Sequence, residues 1–296
     1  MKLAKKIISI TMALTMALGM AACSSAPSEE QPQQETEKPV LLAVSFGTSY
    51  NETRKVTIDA VESSLQQAYP DYEVRRAFTS QIIIDILAER EKMEIDNVTQ
   101  AMERLVSDGV KEVVVQPTHI MNGAEYDDIV KEIGAYKDKF DSIKMGKALL
   151  TTDEDFTKLA EILCEETKDY DNEETAVVFM GHGTHHQANE VYGKLQETLK
   201  AAGHENYLIG TVEGSPTLDD VVALAKEGQY KKVVLLPLMI VAGDHANNDM
   251  AGDEEDSWKT ILTNEGFEVE CVLKGLGEYK GVQQMIIDHA AQTMAE

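Results

Sequence analysis

The chain has 296 residues, room for two units of ordinary size with real cores, and its 43% hydrophobic and 27% charged residues are globular proportions. Its formal charge of −25 argues against nucleic acid as a partner and against anionic lipid as a docking surface. The first 22 residues stand apart from the fold. Lys2, Lys5 and Lys6 precede an uncharged apolar stretch, Ile7 to Ala22, which closes as Met20-Ala21-Ala22-Cys23. This is the layout of a secretory signal, and the stretch is short for a membrane span. Small residues directly before Cys23 resemble a lipobox, with Met20 where leucine is commoner. That resemblance implies cleavage before Cys23 and lipidation of its thiol.

Residues 24–39, SSAPSEEQPQQETEKP, are polar and lack an apolar period, so 23–39 is expected to be a lipidated cysteine and a disordered tether. The expected location is an extracytoplasmic membrane face, reached through the lipid anchor alone. Two further cysteines, Cys164 and Cys271, fit no metal-knuckle spacing and are expected to be buried thiols.

From residue 40 onward, strand and helix signals alternate. Val40 to Phe46 is an apolar run ending at Gly47 and reads as a buried parallel strand. Asn51 to Tyr69 carries helical spacing with Val56, Ala60, Val61 and Leu65 on one face and Pro70 as its stop. Strands follow at Glu73 to Phe78, Val113 to Val115 and Lys144 to Leu149, with helices at Ser80 to Arg90, Asp96 to Ser107 and from about Ala124. The pattern then restarts. Strands are expected at Ala176 to Met180, Tyr207 to Val212, Val233 to Leu236 and Phe267 to Leu273. Helices are expected at Phe156 to Thr167, Val191 to Ala202, Leu218 to Lys226, about Asp253 to Thr263, and at the C-terminus. Such alternation predicts an α/β fold with parallel sheets.

The two halves match each other. EVVVQPTHIMNGAE from Glu112 aligns with KVVLLPLMIVAGDH from Lys232, so Pro117, Ile120 and Gly123 fall opposite Pro237, Ile240 and Gly243. Phe46-Gly47-Thr48 aligns with Met180-Gly181-His182. We expect two Rossmann-like domains, 40–148 and 149–277, with the 278–296 helix able to pack back on the first, and a cleft between them.

Three strand-end segments carry the chemistry: Gly181-His182-Gly183, Val212-Glu213-Gly214 and Gly243-Asp244-His245. Two imidazoles and a carboxylate form an open three-ligand set for a divalent ion with exchangeable positions. Neither HExxH spacing nor a cysteine cluster is present, and each histidine alone is as well read as a loop or cap residue; the three together favour a site. Weaker candidates line the other half. Ser45, Gly47, Thr48 and Ser49 form a strand-to-helix turn whose amides and hydroxyls can hold an anion, although it lacks Walker spacing and an N-cap role for Ser49 or Asn51 explains it equally. His119 follows the third strand and can reach the cleft. His185 and His186 line the cleft or face water, and His204 and His289 are expected at the surface. The acidic run Asp253 to Asp256 is expected to open a helix.

The segments LLAVSFGTSY, RAFTSQII, THIMNGAEYDDIV, VVFMGHGTHH, TVEGSPTLDD and LPLMIVAGDHANNDMAGDEEDSWK together resemble the single-chain anaerobic-pathway cobalt chelatases, over about residues 40 to 285. These enzymes insert Co²⁺ into the tetrapyrrole sirohydrochlorin. The resemblance implies two chelatase-type α/β domains, a macrocycle between them, and metal contact by His182, Glu213 and His245. It implies Co²⁺ as substrate metal, with Fe²⁺ or Ni²⁺ within reach of the same ligands, and no organic cofactor. Arg54, Arg75 and Arg76 are candidates for the substrate carboxylates, Arg54 best placed. A second copy of the chain is a candidate partner. The export signal departs from the family's cytoplasmic pattern, so the alternative is an exported carrier lipoprotein for haem, iron or another metal.

Overall fold

The computed structural model describes residues 38–296, so the expected signal peptide, Cys23 and most of the tether lie outside the described residues. Strands β1 (Val40–Ser45), β2 (Glu73–Phe78), β3 (Glu112–Pro117) and β4 (Ser142–Met145) form one parallel sheet in the order β2-β1-β3-β4. Strands β5 (Thr175–Gly181), β6 (Tyr207–Thr211), β7 (Lys232–Pro237) and β8 (Glu268–Cys271) form a second parallel sheet in the corresponding order β6-β5-β7-β8. The internal repeat in the sequence is therefore a repeat of topology: β3 and β7 begin and end at matching positions. In each sheet the chain reverses its direction of travel between the first and third strands. That reversal opens a crevice at their carboxyl ends, the place where open α/β sheets bind ligands.

Period-two side-chain alternation decides which face meets what. Leu41 and Ala43 of β1 and Val177 and Phe179 of β5 enter one core between the sheets, shared with helices α6 (Asp153–Thr167), α7 (Glu190–Ala201) and α10 (Lys280–Ala295). Val40, Leu42 and Val44 point the other way, onto α4 (Val98–Ser107) and α5 (Ala124–Gly134). Ala176, Val178 and Met180 do likewise, onto α8 (Leu218–Glu227) and α9 (Trp258–Asn264). Both faces of each sheet are covered, as the near-continuous apolar strands require. The described residues, 38–296, belong to one compact unit, and α10 lies against β3, β4 and α6 as well as α2 (Ile58–Ala68).

Several boundaries differ from the sequence expectation for identifiable reasons. The helix expected over Asn51 to Tyr69 is two helices, α1 (Asn51–Val56) and α2. They meet at buried Thr57, whose φ and ψ are −112° and −80° and whose hydroxyl donates to the Thr53 carbonyl at 2.5 Å. The break rotates the apolar stripe: Ile58, Val61 and Leu65 are buried, whereas Val56 is 44% exposed. Strand β4 ends at Met145, before the expected Leu149, because Gly146 turns the chain off the sheet against Gln116. The Asp253–Asp256 run lies in a turn ahead of α9, which instead starts from an N-cap at Ser257, its hydroxyl accepting from the Thr260 amide at 3.2 Å. Cys164 and Cys271 are free thiols and only partly buried. His289 is no surface residue: it is 4% exposed and pairs with Asp155.

Candidate metal centre at the second switch point

His182 follows β5 and His245 follows β7, the two strands that flank the crevice of the second sheet. Their rings come together edge to face, with centroids 4.6 Å apart. Two imidazoles sharing one ion at metal–nitrogen distances of about 2.0–2.1 Å place their centroids about 5 Å apart, so this spacing suits a shared ion.

The GHG segment folds this way because both glycines are required. A Cβ on Gly181 would lie 2.2 Å from the Tyr192 ring. Gly183 has φ +81°, and a Cβ there would lie 2.5 Å from the Gly214 amide nitrogen. The Gly183 amide donates to the buried Tyr192 hydroxyl at 3.2 Å, and burial first of all pushes that phenol up to about 12, so it stays protonated.

Hydrogen bonds fix both tautomers. A carbonyl oxygen only accepts, so His182 Nδ1 donates to the Gly183 carbonyl at 2.8 Å, leaving Nε2 with its lone pair. His245 Nδ1 lies 2.6 Å from the Asp249 carboxylate, to which it donates, again freeing Nε2. A single π-helical turn, Ala246–Met250, sets Asp249 beneath His245. Carboxylates in this position orient a ligating imidazole and raise its basicity. Asp249 was not singled out from the sequence, although its i, i+4 offset from His245 was a readable signal. Replacing it (Asp249→Asn) should cost about 10–100-fold in Co²⁺ affinity, measured by cobalt titration, with the fold unchanged by circular dichroism.

Glu213 adjoins this pair through its backbone, its amide donating to the His182 carbonyl at 2.8 Å. Its side chain is exposed and makes no hydrogen bond among the described residues. Among the described residues no three His, Cys, Asp or Glu side chains are gathered closely enough to hold an ion. The expected ligand set is thus two assembled rings and one carboxylate standing off, on a side chain that nothing else holds.

The first sheet presents its own crevice to this site. Tyr50 Oη donates to Asp244 Oδ1 at 3.3 Å, Thr53 Oγ1 donates to the Ala242 carbonyl at 3.4 Å, and His186 Nε2 lies 3.5 Å from Asp127 Oδ2. The other low-ranked candidates divide. Ser45 and Thr48 are 2% and 3% exposed and occupied internally: Ser45 accepts from the Thr118 hydroxyl at 2.9 Å, Thr48 from the Tyr50 amide at 3.2 Å. Gly47, at φ +101°, packs against the Phe78 ring, and the Ser49 carbonyl accepts from Arg90. Neither Ser49 nor Asn51 caps α1; Tyr50 stands at the cap position and its side chain makes no capping bond. Arg75 is tied to Glu73 and Asp108, and Arg76 to Asp59 and Glu62. Arg54 is 6% exposed; one Nη pairs with Glu91 at 3.3 Å and the other has no partner among the described residues. His185 is exposed, and His204 pairs with Asp171 at 3.1 Å.

His119, after β3, is the unusual one. The residue as a whole is half-buried, yet both ring nitrogens are closed off from solvent and have no hydrogen-bond partner among the described residues. Burial pulls its pKa down to about 4, against the opposing pull of Glu125, so the ring is neutral. A buried polar group without a partner costs about 1–3 kcal/mol and calls for an explanation. Two cavities, of about 450 and 360 Å³, lie elsewhere, beside Arg75 and beside Asp155.

Fold and site define a two-sheet α/β protein with two imidazoles paired at the carboxyl end of its second sheet. A family model described as cobalt chelatase (CbiK) matches residues 39–295. The sirohydrochlorin cobaltochelatase of Salmonella typhimurium (strain LT2) is 38% identical over 257 residues, covering 87% of this chain and 97% of the relative. The sirohydrochlorin cobaltochelatase CbiKC of Nitratidesulfovibrio vulgaris (strain Hildenborough) is 36% identical over 264 residues, covering 88% and 92%. Among solved structures, SirB from Bacillus subtilis with Fe³⁺ superposes with a TM-score of 0.60 at 14% identity, covering 87% of this chain and 96% of that one; the likeness is one of fold. The chain belongs to the cobalt chelatase (CbiK) family.

Proposed function

We propose that this protein is a sirohydrochlorin cobaltochelatase, which inserts Co²⁺ into a carboxylate-rich tetrapyrrole held between the two sheets, on the route to cobalamin. The observation that carries this reading is the His182–His245 pair, each ring held by its Nδ1 hydrogen with Nε2 left to bind a metal ion. The family relationship supplies the substrate. In this mechanism the two Nε2 atoms hold the incoming Co²⁺ and displace part of its water. Glu213 swings to the ion as third ligand or takes a pyrrole proton. The ion is held openly by few ligands, so the four nitrogens of the macrocycle outcompete the protein for it. No organic cofactor has a role in this scheme.

The test is spectroscopic. Purified full-length chain, sirohydrochlorin and Co²⁺ should give repeated turnover, followed by the absorbance change of the macrocycle; Fe²⁺ and Ni²⁺ in parallel measure metal preference. The leader at residues 1–22 favours a second reading, an exported carrier, which predicts one equivalent bound and no turnover in the same assay. We propose that the chain is exported and anchored through lipidated Cys23. Replacing that residue (Cys23→Ser) should release the protein from the membrane fraction and abolish incorporation of labelled fatty acid.

A further inference from the structure

The two histidines of the metal centre are supported differently. His182 is fixed from within the second sheet, by the Gly183 carbonyl and the glycines packed around Tyr192. His245 stands on a segment, Ile240 to Asp244, that the first sheet holds. Val241 packs against the cluster that contains Ile58 and Phe78. The Ala242 carbonyl accepts from Thr53 Oγ1 at 3.4 Å, and Asp244 Oδ1 accepts from Tyr50 Oη at 3.3 Å. A Cβ on Gly243 would lie 3.6 Å from Thr48 Oγ1. Two asparagines then carry this hold into the π-helical turn. Asn247 Nδ2 donates to the Ala242 carbonyl at 3.1 Å and to the Gly243 carbonyl at 2.7 Å. Asn248 Nδ2 donates at 2.8 Å to Asp244 Oδ1, the same oxygen that takes the Tyr50 hydroxyl. The next residue, Asp249, orients the His245 ring.

Resting on the chelatase reading, we propose that Tyr50 is a positioning residue: from the first sheet, through Asp244 and Asn248, it holds the turn that aims His245 at the ion shared with His182. A metal site needs its ligands held within about 0.5 Å of the productive geometry. Asp244 is exposed and Tyr50 half-buried, so water can replace either partner and their bond adds little to folding. Its effect falls on geometry instead. The oxygen shared by two donors ties the cap position of α1 to the turn beneath His245, and makes the affinity of the second crevice depend on the wall of the first.

The experiment is Co²⁺ titration of the full-length chain, read by the cobalt absorption bands, in wild type, Tyr50→Phe, Asp244→Asn, Asp244→Ala and the double variant Tyr50→Phe/Asp244→Ala. Tyr50→Phe removes one hydroxyl and should weaken Co²⁺ binding roughly 10-fold, the lower end for groups that orient a ligand, and shift the bands. Its melting temperature should stay as in wild type. Asp244→Asn keeps an oxygen that accepts from both donors, so it should bind Co²⁺ nearly as wild type does. Asp244→Ala should bind at least as weakly as Tyr50→Phe, and the double variant no more weakly than Asp244→Ala, because both changes break one chain of contacts. Wild-type affinity and bands in Tyr50→Phe overturn the proposal, as do additive losses in the double variant. A loss in Asp244→Asn equal to that in Asp244→Ala also overturns it, since the carboxylate charge would then act on the ion directly. The chelatase reading fails separately: wild type that binds Co²⁺ without turning over sirohydrochlorin removes that reading and leaves the titration to decide on Tyr50.

Discussion

His182→Ala and His245→Ala should each lower Co²⁺ insertion by roughly 1,000-fold, the several kcal/mol expected when a metal-holding group is lost. Each ring contributes the one nitrogen left free after its Nδ1 hydrogen has been committed to Gly183 or Asp249. Removing one ring leaves a single imidazole, which neither strips water from the ion nor orients it. The double variant should therefore be little worse than either single one, because the two residues act as a unit. Folding should survive, since both side chains are only half-buried at the end of a sheet whose core lies elsewhere. Turnover measured with sirohydrochlorin, together with loss of the Co²⁺ absorption bands on titration, checks this. Wild-type rates in either variant would remove both histidines from the mechanism. Glu213→Gln makes the graded comparison: its exposed carboxylate is recruited only with metal or macrocycle, so its effect should appear in turnover before it appears in Co²⁺ affinity.

Much of this architecture was legible from residue types and spacing. Apolar runs bounded by Gly and Pro identify the strands, and the offset between Pro117 and Pro237 identifies two copies of one sheet. Strand ends in an α/β sheet converge by topology, so placing His182 and His245 together needed no tertiary detail. What escaped depends on partners far away in sequence. The helix breaks at Thr57, where Gly277 packs close against it, and no local signal reports that approach. Arg75 and Arg76 look free for substrate in a string of letters, but Asp108 and Asp59 already hold them. Glu213 is a nearby loop residue by sequence and by backbone, yet three side-chain torsions separate its Cα from the carboxylate, and spacing says nothing about where those point. His119 shows the reverse case: its placement after β3 was readable, but that its nitrogens are buried with no partner among the described residues is visible only once its surroundings are assembled.

The pair missed entirely from sequence, His289 and Asp155, should dominate the stability of the C-terminal helix. Asp155 is the third residue of α6, where its carboxylate accepts from the Thr152 amide at 2.7 Å and completes a capping box. Its other oxygen lies 2.9 Å from His289 Nε2 on α10. The side chains are 9% and 4% exposed, so water cannot replace either partner. Losing a hydrogen bond to a charged group in such a place costs about 2 kcal/mol, and His289→Ala should lower the melting temperature by about 4–8 °C. Asp155→Ala should cost about 1 kcal/mol more, because the helix cap goes with it. The pH dependence has a definite sign. Burial alone would raise the Asp155 carboxyl, but His289 and the Thr152 amide and hydroxyl outweigh it, holding the group below its ordinary value. A depressed carboxyl stabilises the fold above its unfolded pKa of about 4 and loses that contribution as pH falls through the lower folded value. The gap between wild type and Asp155→Asn should accordingly be full at pH 7 and close in acid, as read from melting curves across pH 3 to 7. A gap that stays constant, or widens as pH falls, would mean that the carboxylate charge is not what fastens α10 to α6.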